Sequence, residues 1–328
     1  MRIRLIFSLL FLLFLYNSCR KEGVEPDSPF VWIGGDRTLM KSCDGGKSWE
    51  NFFQYKYFYT TSYTEGLDPM QVIRDISFCN THKGVICGDY GFYGKTNNSI
   101  VWEAHNTYDY SIFSAFIFDS TFCFFSSEGF AFKEQNLWEK KQWTADNYYS
   151  ADFIDKNTGW LVGDNNTVQY TTDGTSHWTN QTTSPGNVYR DVKIYPMGSN
   201  KYMVWIVGDK GVIYKTTDNG QNWLHVPSGV TEDLTSICIT SNGNVFITGD
   251  KGLILQSTNY GATFQKMNTG TSEKLNSISF LDDETGIAVG NFGTVIKTEN
   301  AGKTWSYEQW DKEKHLYCVT FVKRFHQN

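Results

Sequence analysis

The sequence predicts an all-β chain folded as a seven-bladed β-propeller, closed by a C-terminal strand that completes the first blade. Three observations predict it. One phrase recurs, as "VWIVGDKGVIYKTTDNGQNW" from Val204, "GWLVGDNNTVQYTTDGTSHW" from Gly159 and "GIAVGNFGTVIKTENAGKTW" from Gly286, with more divergent copies from Val31, Gly84, Phe122 and Asn244. The anchoring glycines, from Gly35 to Gly290, fall about 42 residues apart, the length of a four-stranded blade. Finally, the first copy opens directly on its second strand, "FVWIGG", while the last strand-like stretch, "LYCVTF" from Leu316, has no copy after it. Pairing these two orphans closes a ring and leaves no sheet edge open.

Each element of a unit has its own warrant. The first strand is read from "IRDISF" at Ile73, "YRDVKI" at Tyr189, "LTSICI" at Leu234 and "LNSISF" at Leu275, which alternate with period two. A "GIAVG"-type second strand, a "GTVIKT"-type third strand and a "TWSYE"-type outer strand follow. Between the last two lies Ser/Thr-x-Asp-x-Gly-x-x-Trp. Its Asp carboxylate accepts N–H groups across the turn, its Gly supplies a positive φ, and its Trp opens the outer strand and packs over the turn. The pattern is complete at Ser42, Asp44, Gly46 and Trp49, and at Thr216, Asp218, Gly220 and Trp223. Asp173 and Trp178 keep it with Thr175 in place of Gly. Asn259 with Gly261 and Phe264, and Asn300 with Gly302 and Trp305, keep it with Asn in place of Asp. The second and third units are read as having lost it.

Ahead of the repeats, Arg2 and Arg4 precede an apolar run from Leu5 to Tyr16, short for a bilayer span and right for a signal peptide. "LYNSC" then resembles a bacterial lipoprotein cleavage box with Cys19 as the lipidated residue. The expected organisation is a signal peptide over 1–18, a polar tether over 19–28, the propeller over 29–323 and a tail over 324–328. That implies the cell envelope, with membrane contact through a lipid anchor only; secretion without an anchor is the other reading.

Composition excludes several functions. A net charge of -6 leaves no surplus of Lys and Arg to displace counterions, so nucleic acid is not the partner. The cysteines show no CxxC and the histidines no HExxH, so no metal and no cofactor is expected. Cys79 and Cys87 flank a turn; they are read either as small buried thiols or as a disulfide across a hairpin.

The Ser/Thr-x-Asp-x-Gly-x-x-Trp turns resemble the Asp-box, or BNR, repeat. Over residues 30 to 323 the phrases "GWLVGD", "VGDKGVIYKTTDNGQNW" and "SISFLDDETGIAVG" resemble the photosystem II assembly and stability factor family. The resemblance implies a seven-bladed propeller, with the boxes as scaffold on the bottom rim, that binds protein subunits and does not catalyse. The degenerate second and third units and the lipoprotein-like start depart from the family, so a photosystem role is not implied with equal force.

Binding in a propeller gathers on the top face, around the channel. Three features are expected there. The long aromatic connection "ENFFQYKYFYTTSYTEGLDPMQ" carries Phe52, Phe53, Tyr55, Tyr57, Phe58, Tyr59 and Tyr63, and other connections carry Tyr108, Tyr110, Tyr148, Tyr149 and Tyr189. These form a recognition surface, or the long loop folds back over a degenerate blade. Arg74 and Arg190 share one repeat position, each followed by an acid, Asp75 or Asp191; they clamp a carboxylate, or form an Arg–Asp pair within each blade. The third feature is the Gly-Asp aspartates, Asp36, Asp89, Asp164, Asp209 and Asp250, read as turn residues.

The function expected is a monomeric, non-catalytic binding module whose top face takes a protein, or else a glycan. The alternative is a glycosidase. A sialidase would need an arginine triad, for which Arg37, Arg74 and Arg190 are the candidates, although the Arg-Ile-Pro signature is absent. A xyloglucanase-like enzyme would use Asp75 and Asp191, about 6.5–9.5 Å apart if inverting. The arginine beside each of these acids is expected to neutralise it.

Overall fold

The computed structural model describes residues 29–53, 58–60, 72–106, 110–118, 121–127, 130–134, 138–142, 146–184, 186–198 and 201–322. The expected signal peptide, the tether with Cys19 and the tail lie outside the described residues, as do Tyr55, Tyr57, Tyr63 and Tyr108. Among the described residues no helix is long and apolar enough to cross a membrane.

All sheets radiate from a central axis. The strands nearest it are Ile73–Phe78, Ile112–Phe118, Tyr148–Phe153, Tyr189–Pro196, Leu234–Ile239, Leu275–Phe280 and Leu316–Val322. Each lies beside the next, and the last beside the first. Second strands such as Gly159–Gly163 and Val245–Gly249 are buried along their whole length. Each sheet is sandwiched between two others, which is why these strands read as continuous apolar runs while the inner strands alternate.

The expectation of seven four-stranded blades needs correction. Six blades, not seven, are four-stranded; the remaining sheet, on Ile73–Phe78, has five strands, because Phe58–Thr60 adds in parallel to Trp102–Asn106. The cause lies at the outer edge. Several outer strands are only two residues long, as at Thr179–Asn180 and Leu224–His225, whereas Trp102–Asn106 presents five residues of ladder to pair. Ring closure is by Leu316–Val322 on Phe30–Gly35, antiparallel, with Ile33 opposite Val319.

Inner strands of neighbouring sheets are joined by side chains reaching across to backbone. Asp75 accepts the Ala115 N–H at 2.9 Å, Asp152 that of Ile194 at 2.9 Å, and Asp191 that of Ile237 at 2.8 Å. Ser277 and Ser279 accept the N–H groups of Val319 and Phe321, each at 3.2 Å. An inner strand is one edge of its sheet, and these bonds satisfy edge groups that would otherwise be left without partners.

The Asp-box turns join the sheets at the other end of the strands. In the first box the Asp44 carboxylate accepts the Lys47 and Ser48 N–H groups, both at 2.9 Å, and Ser42 Oγ accepts that of Gly46 at 2.7 Å. The turn then offers a carbonyl to the preceding sheet. Lys215 donates to Tyr260 O at 3.0 Å, Gln256 to Ala301 O at 2.8 Å, Lys41 to Ser99 O at 3.3 Å, and Lys297 to Gly46 O. Two expectations change here. The second unit keeps a shortened box: Asn98 Oδ1 accepts the Ile100 and Val101 N–H groups at 3.0 and 2.9 Å. And the box Trp packs between sheets, not only over its own turn. Trp178 meets Phe125 and Phe153 edge-on at 6.0 and 6.1 Å, and Trp305 meets Phe246 and Phe280 at 6.5 and 6.1 Å.

Candidate binding site at the channel mouth

The inner strands enclose a channel of about 350 Å³. Its mouth is built by one repeated backbone event. In every inner strand the register with the second strand skips one residue, the strand's second. Ile73 pairs with Gly88 and Asp75 with Cys87, so Arg74 is left over. By the same skip Phe113, Tyr149, Arg190, Thr235, Asn276 and Tyr317 are left over. A bulge bends its strand and re-aims the extra side chain. All of these residues but none of their immediate predecessors line the channel.

The turn residue after the second-strand Gly then fixes the bulge residue of its own sheet. Arg74 donates Nε and Nη2 to the two oxygens of Asp89 at 3.0 and 2.9 Å. Arg190 does the same to Asp209 at 2.7 and 2.8 Å. The Tyr149 hydroxyl donates to Asp164 at 3.3 Å, and Asn276 to Asn291 at 3.0 Å. Each guanidinium also lies over an aromatic ring: Arg74 is 4.3 Å from the Tyr317 centroid and Arg190 4.7 Å from that of Tyr149. Phe113 adjoins Tyr149 at 5.3 Å. Fixed by a two-point ion pair and a ring, each Arg has little rotamer freedom left to lose on binding.

Of the two sequence readings of Arg74 and Arg190, the pair within each blade is therefore formed, but with the turn acids Asp89 and Asp209. The expected neutralisation of Asp75 and Asp191 by the adjacent arginines is corrected. Both acids line the channel wall instead. Asp75 accepts the Ile76 N–H at 2.8 Å as well as that of Ala115. Asp191 takes donors from Ser150 at 2.7 Å, Val192 at 2.9 Å, Ser236 at 3.0 Å and Ile237 at 2.8 Å. Burial pushes the Asp75 carboxyl up to about 6, against the N–H bonds that favour its charged form. Beside them, Lys193 stands 3.7 Å from Asp152, and that carboxylate holds its ammonium well above the usual lysine range.

Other candidates sort differently. Phe52 is fully buried against Trp32 at 4.9 Å, and Phe58 is half-buried 6.5 Å from Phe92, so these two belong to the folded-back loop. Tyr59 belongs to the added strand. Tyr148 and Tyr189, expected on the surface, are buried because they precede the bulge and point into the sheet stack. Cys79 and Cys87 are not joined by a disulfide; Cys87 is buried, and Cys79 Sγ lies 3.7 Å from Lys83 O. No cluster of potential metal ligands occurs among the described residues. The reading of the turn aspartates as turn residues alone is corrected, since Asp89, Asp164 and Asp209 hold mouth residues. Phe113 and Tyr317 were missed, although "IFSAFI" and "LYCVTF" put them at the same strand position as the two arginines.

Comparison with known proteins follows the same lines. Residues 130–229 match the family described as photosynthesis system II assembly factor YCF48. No match is found among the curated proteins. Among solved structures, "YCF48 bound to D1 peptide" superposes with a TM-score of 0.60 at 12% identity, covering 78% of this chain and 93% of its own. YCF48 from Cyanidioschyzon merolae superposes with a TM-score of 0.56 at 14% identity, covering 72% of this chain and 84% of its own. At these identities the superpositions establish the fold, and the matched repeats add the family likeness: the chain is a β-propeller similar to the photosystem II assembly factor family.

Proposed function

We propose that the chain is a non-catalytic, envelope-anchored module that holds a protein partner at the channel mouth. One observation carries the reading: two arginines in the same repeat position, each locked by a turn aspartate and stacked on a tyrosine. Rigid Arg and Tyr side chains concave to a cavity are the residue types that concentrate binding energy. A YCF48 propeller of similar fold is described as bound to a D1 peptide, which favours protein over glycan. Against catalysis stands the use of Asp75 and Asp191, the candidate carboxylates, as acceptors that join sheets. The anchor is part of the proposal, with Cys19 as the acylated residue after removal of residues 1–18.

The test is capture of proteins from the native envelope by the full chain, beside hydrolysis assays with sialosides and β-glucans. The reading expects specific capture that falls at least tenfold for Arg190→Ala, no turnover, and loss of membrane association for Cys19→Ser. Turnover that vanishes in Asp75→Asn or Asp191→Asn would replace it with a glycosidase.

A further inference from the structure

The two ends of the described propeller leave it on the same side. Gly35 pairs with Leu316 beside the mouth residue Tyr317, and Phe30 pairs with Val322 at the far end of the same two strands. Pro29 and Val322 therefore lie at the box end. Residues 19–28 separate Cys19 from Pro29, and a chain of that length reaches about 33–36 Å when fully extended. To turn the mouth toward a membrane, the tether would have to pass the two further strands of its sheet, about 10 Å, and climb the strand length, about 20–26 Å. That route consumes its whole reach. With the box end toward the membrane there is slack. The same end carries an apolar patch across two sheets. Tyr195, Pro196 and Met197 end one inner strand, and the Tyr195 ring stands 6.2 Å from that of Tyr260, in the box turn of the next sheet. Met197 is 49% exposed and Tyr260 47%. The Tyr195 hydroxyl donates to Ser241 O at 3.0 Å, and nearby Asp283 accepts from Ser241 Oγ at 2.7 Å.

Resting on the acylation of Cys19 proposed above, we infer that the box end docks on the lipid bilayer that holds the anchor, through Met197 and Tyr260. A tyrosine ring, apolar on its face and polar at its tip, suits the level of the headgroups, and Met197 adds a flexible apolar side chain beside it. No basic cluster surrounds the patch, so the contact is made by apolar insertion and needs no anionic lipid. The mouth then opens about 20–26 Å from the headgroups, and a partner meets it with a part that stands clear of the membrane.

The test uses the full chain, acylated at Cys19 and reconstituted on phosphatidylcholine vesicles. A fluorophore is placed on Ala262→Cys, in the box turn beside Tyr260, or on Thr231→Cys, in the connection at the mouth end; both positions are exposed. Spin-labelled lipid is expected to quench the label at Ala262 at least fivefold more than the label at Thr231, a comparison that needs no change to the patch. Met197→Glu with Tyr260→Glu should cut the Ala262 quenching at least twofold in a chain that stays vesicle-bound and melts as wild type, and Met197→Leu should keep it. Equal quenching of the two labels, stronger quenching at Thr231, or quenching unmoved by the Glu substitutions overturns the inference and leaves the anchor standing. Shielding of Ala262 from aqueous iodide before vesicles are added does the same, in favour of a second copy on that face. A chain that never binds the vesicles, or that stays on them as Cys19→Ser, removes the anchor reading and the inference with it.

Discussion

At Gly302 the box turn holds φ at +77°, and a Cβ there would stand 2.5 Å from the Phe246 ring of the preceding sheet. Phe246 is itself fixed, stacked on Phe280 at 4.2 Å. Gly302→Ala thus combines a disfavoured φ with overpacking, and is expected to cost about 2–4 kcal/mol in urea denaturation. The residue four places after the box acid also adjusts to it. Ser48 and Asn222 donate to Asp44 and Asp218, whereas Thr263 and Thr304 accept from Asn259 and Asn300. Asp218→Ala removes its side of that exchange and is expected to lower the melting temperature while leaving partner capture intact. Lys41 gives a signed pH prediction. Its ammonium is buried 4.2 Å from the Phe30 centroid, and desolvation brings its pKa down from 10.5 to about 8. The folded value is below the unfolded one, so the charge destabilises fully below about pH 8, and the penalty fades as pH rises to 10.5. Lys41→Met keeps the apolar stem. It should gain about 1–2 kcal/mol at pH 7 after losing the bonds to Ser99, with the gain shrinking by pH 10.

Inner strands carry the second scale. Their alternation was legible because the channel side is polar and the sheet side apolar. Their bulges were not. Arg, Phe, Tyr, Thr and Asn all occupy the bulged position, so no residue type marks it, and only the register with the second strand reveals it. The pairing of Arg74 with Asp89 was hidden for a related reason: Asp75, one residue away, is the nearer acid in sequence but projects elsewhere once the strand bends. Asp75 also makes this element sensitive to pH. Its folded pKa, about 6, lies above its ordinary 3.8. Its contribution is therefore fully present below about pH 3.8 and lost as pH rises through about 6. Asp44 and Asp173 act in the opposite sense, since their pKa values are lowered to about 2 and their contribution is lost only as pH falls below 3.8. Asp75→Asn is expected to flatten the stability profile between about pH 4 and 6, measured by guanidinium denaturation; an unchanged slope would show that Asp75 does not titrate there.

Over the whole molecule, local repetition was more legible than non-local pairing, although the box retained at Asn98 and the strand content of one blade were misread. Ring closure was legible because an unmatched first strand and an unmatched last strand sit at opposite ends of one sequence. The fifth strand at Phe58–Thr60 was not, since nothing local tells a three-residue stretch which outer edge it will cover. Closure itself is testable. Removing residues 316–328 takes away the partner of Phe30–Gly35 and the acceptors' targets at Val319 and Phe321, so the truncated chain should lose cooperative unfolding. The remaining claim is functional: the protein partner is recognised at the mouth end of the ring and not at the box end. The most direct measurement is envelope capture by the full chain with paired Arg74→Ala and Arg190→Ala substitutions, set beside Asp218→Ala at the opposite end. Loss of capture with the mouth substitutions and retention with Asp218→Ala is the predicted result; retention at the mouth with loss at the box would contradict it.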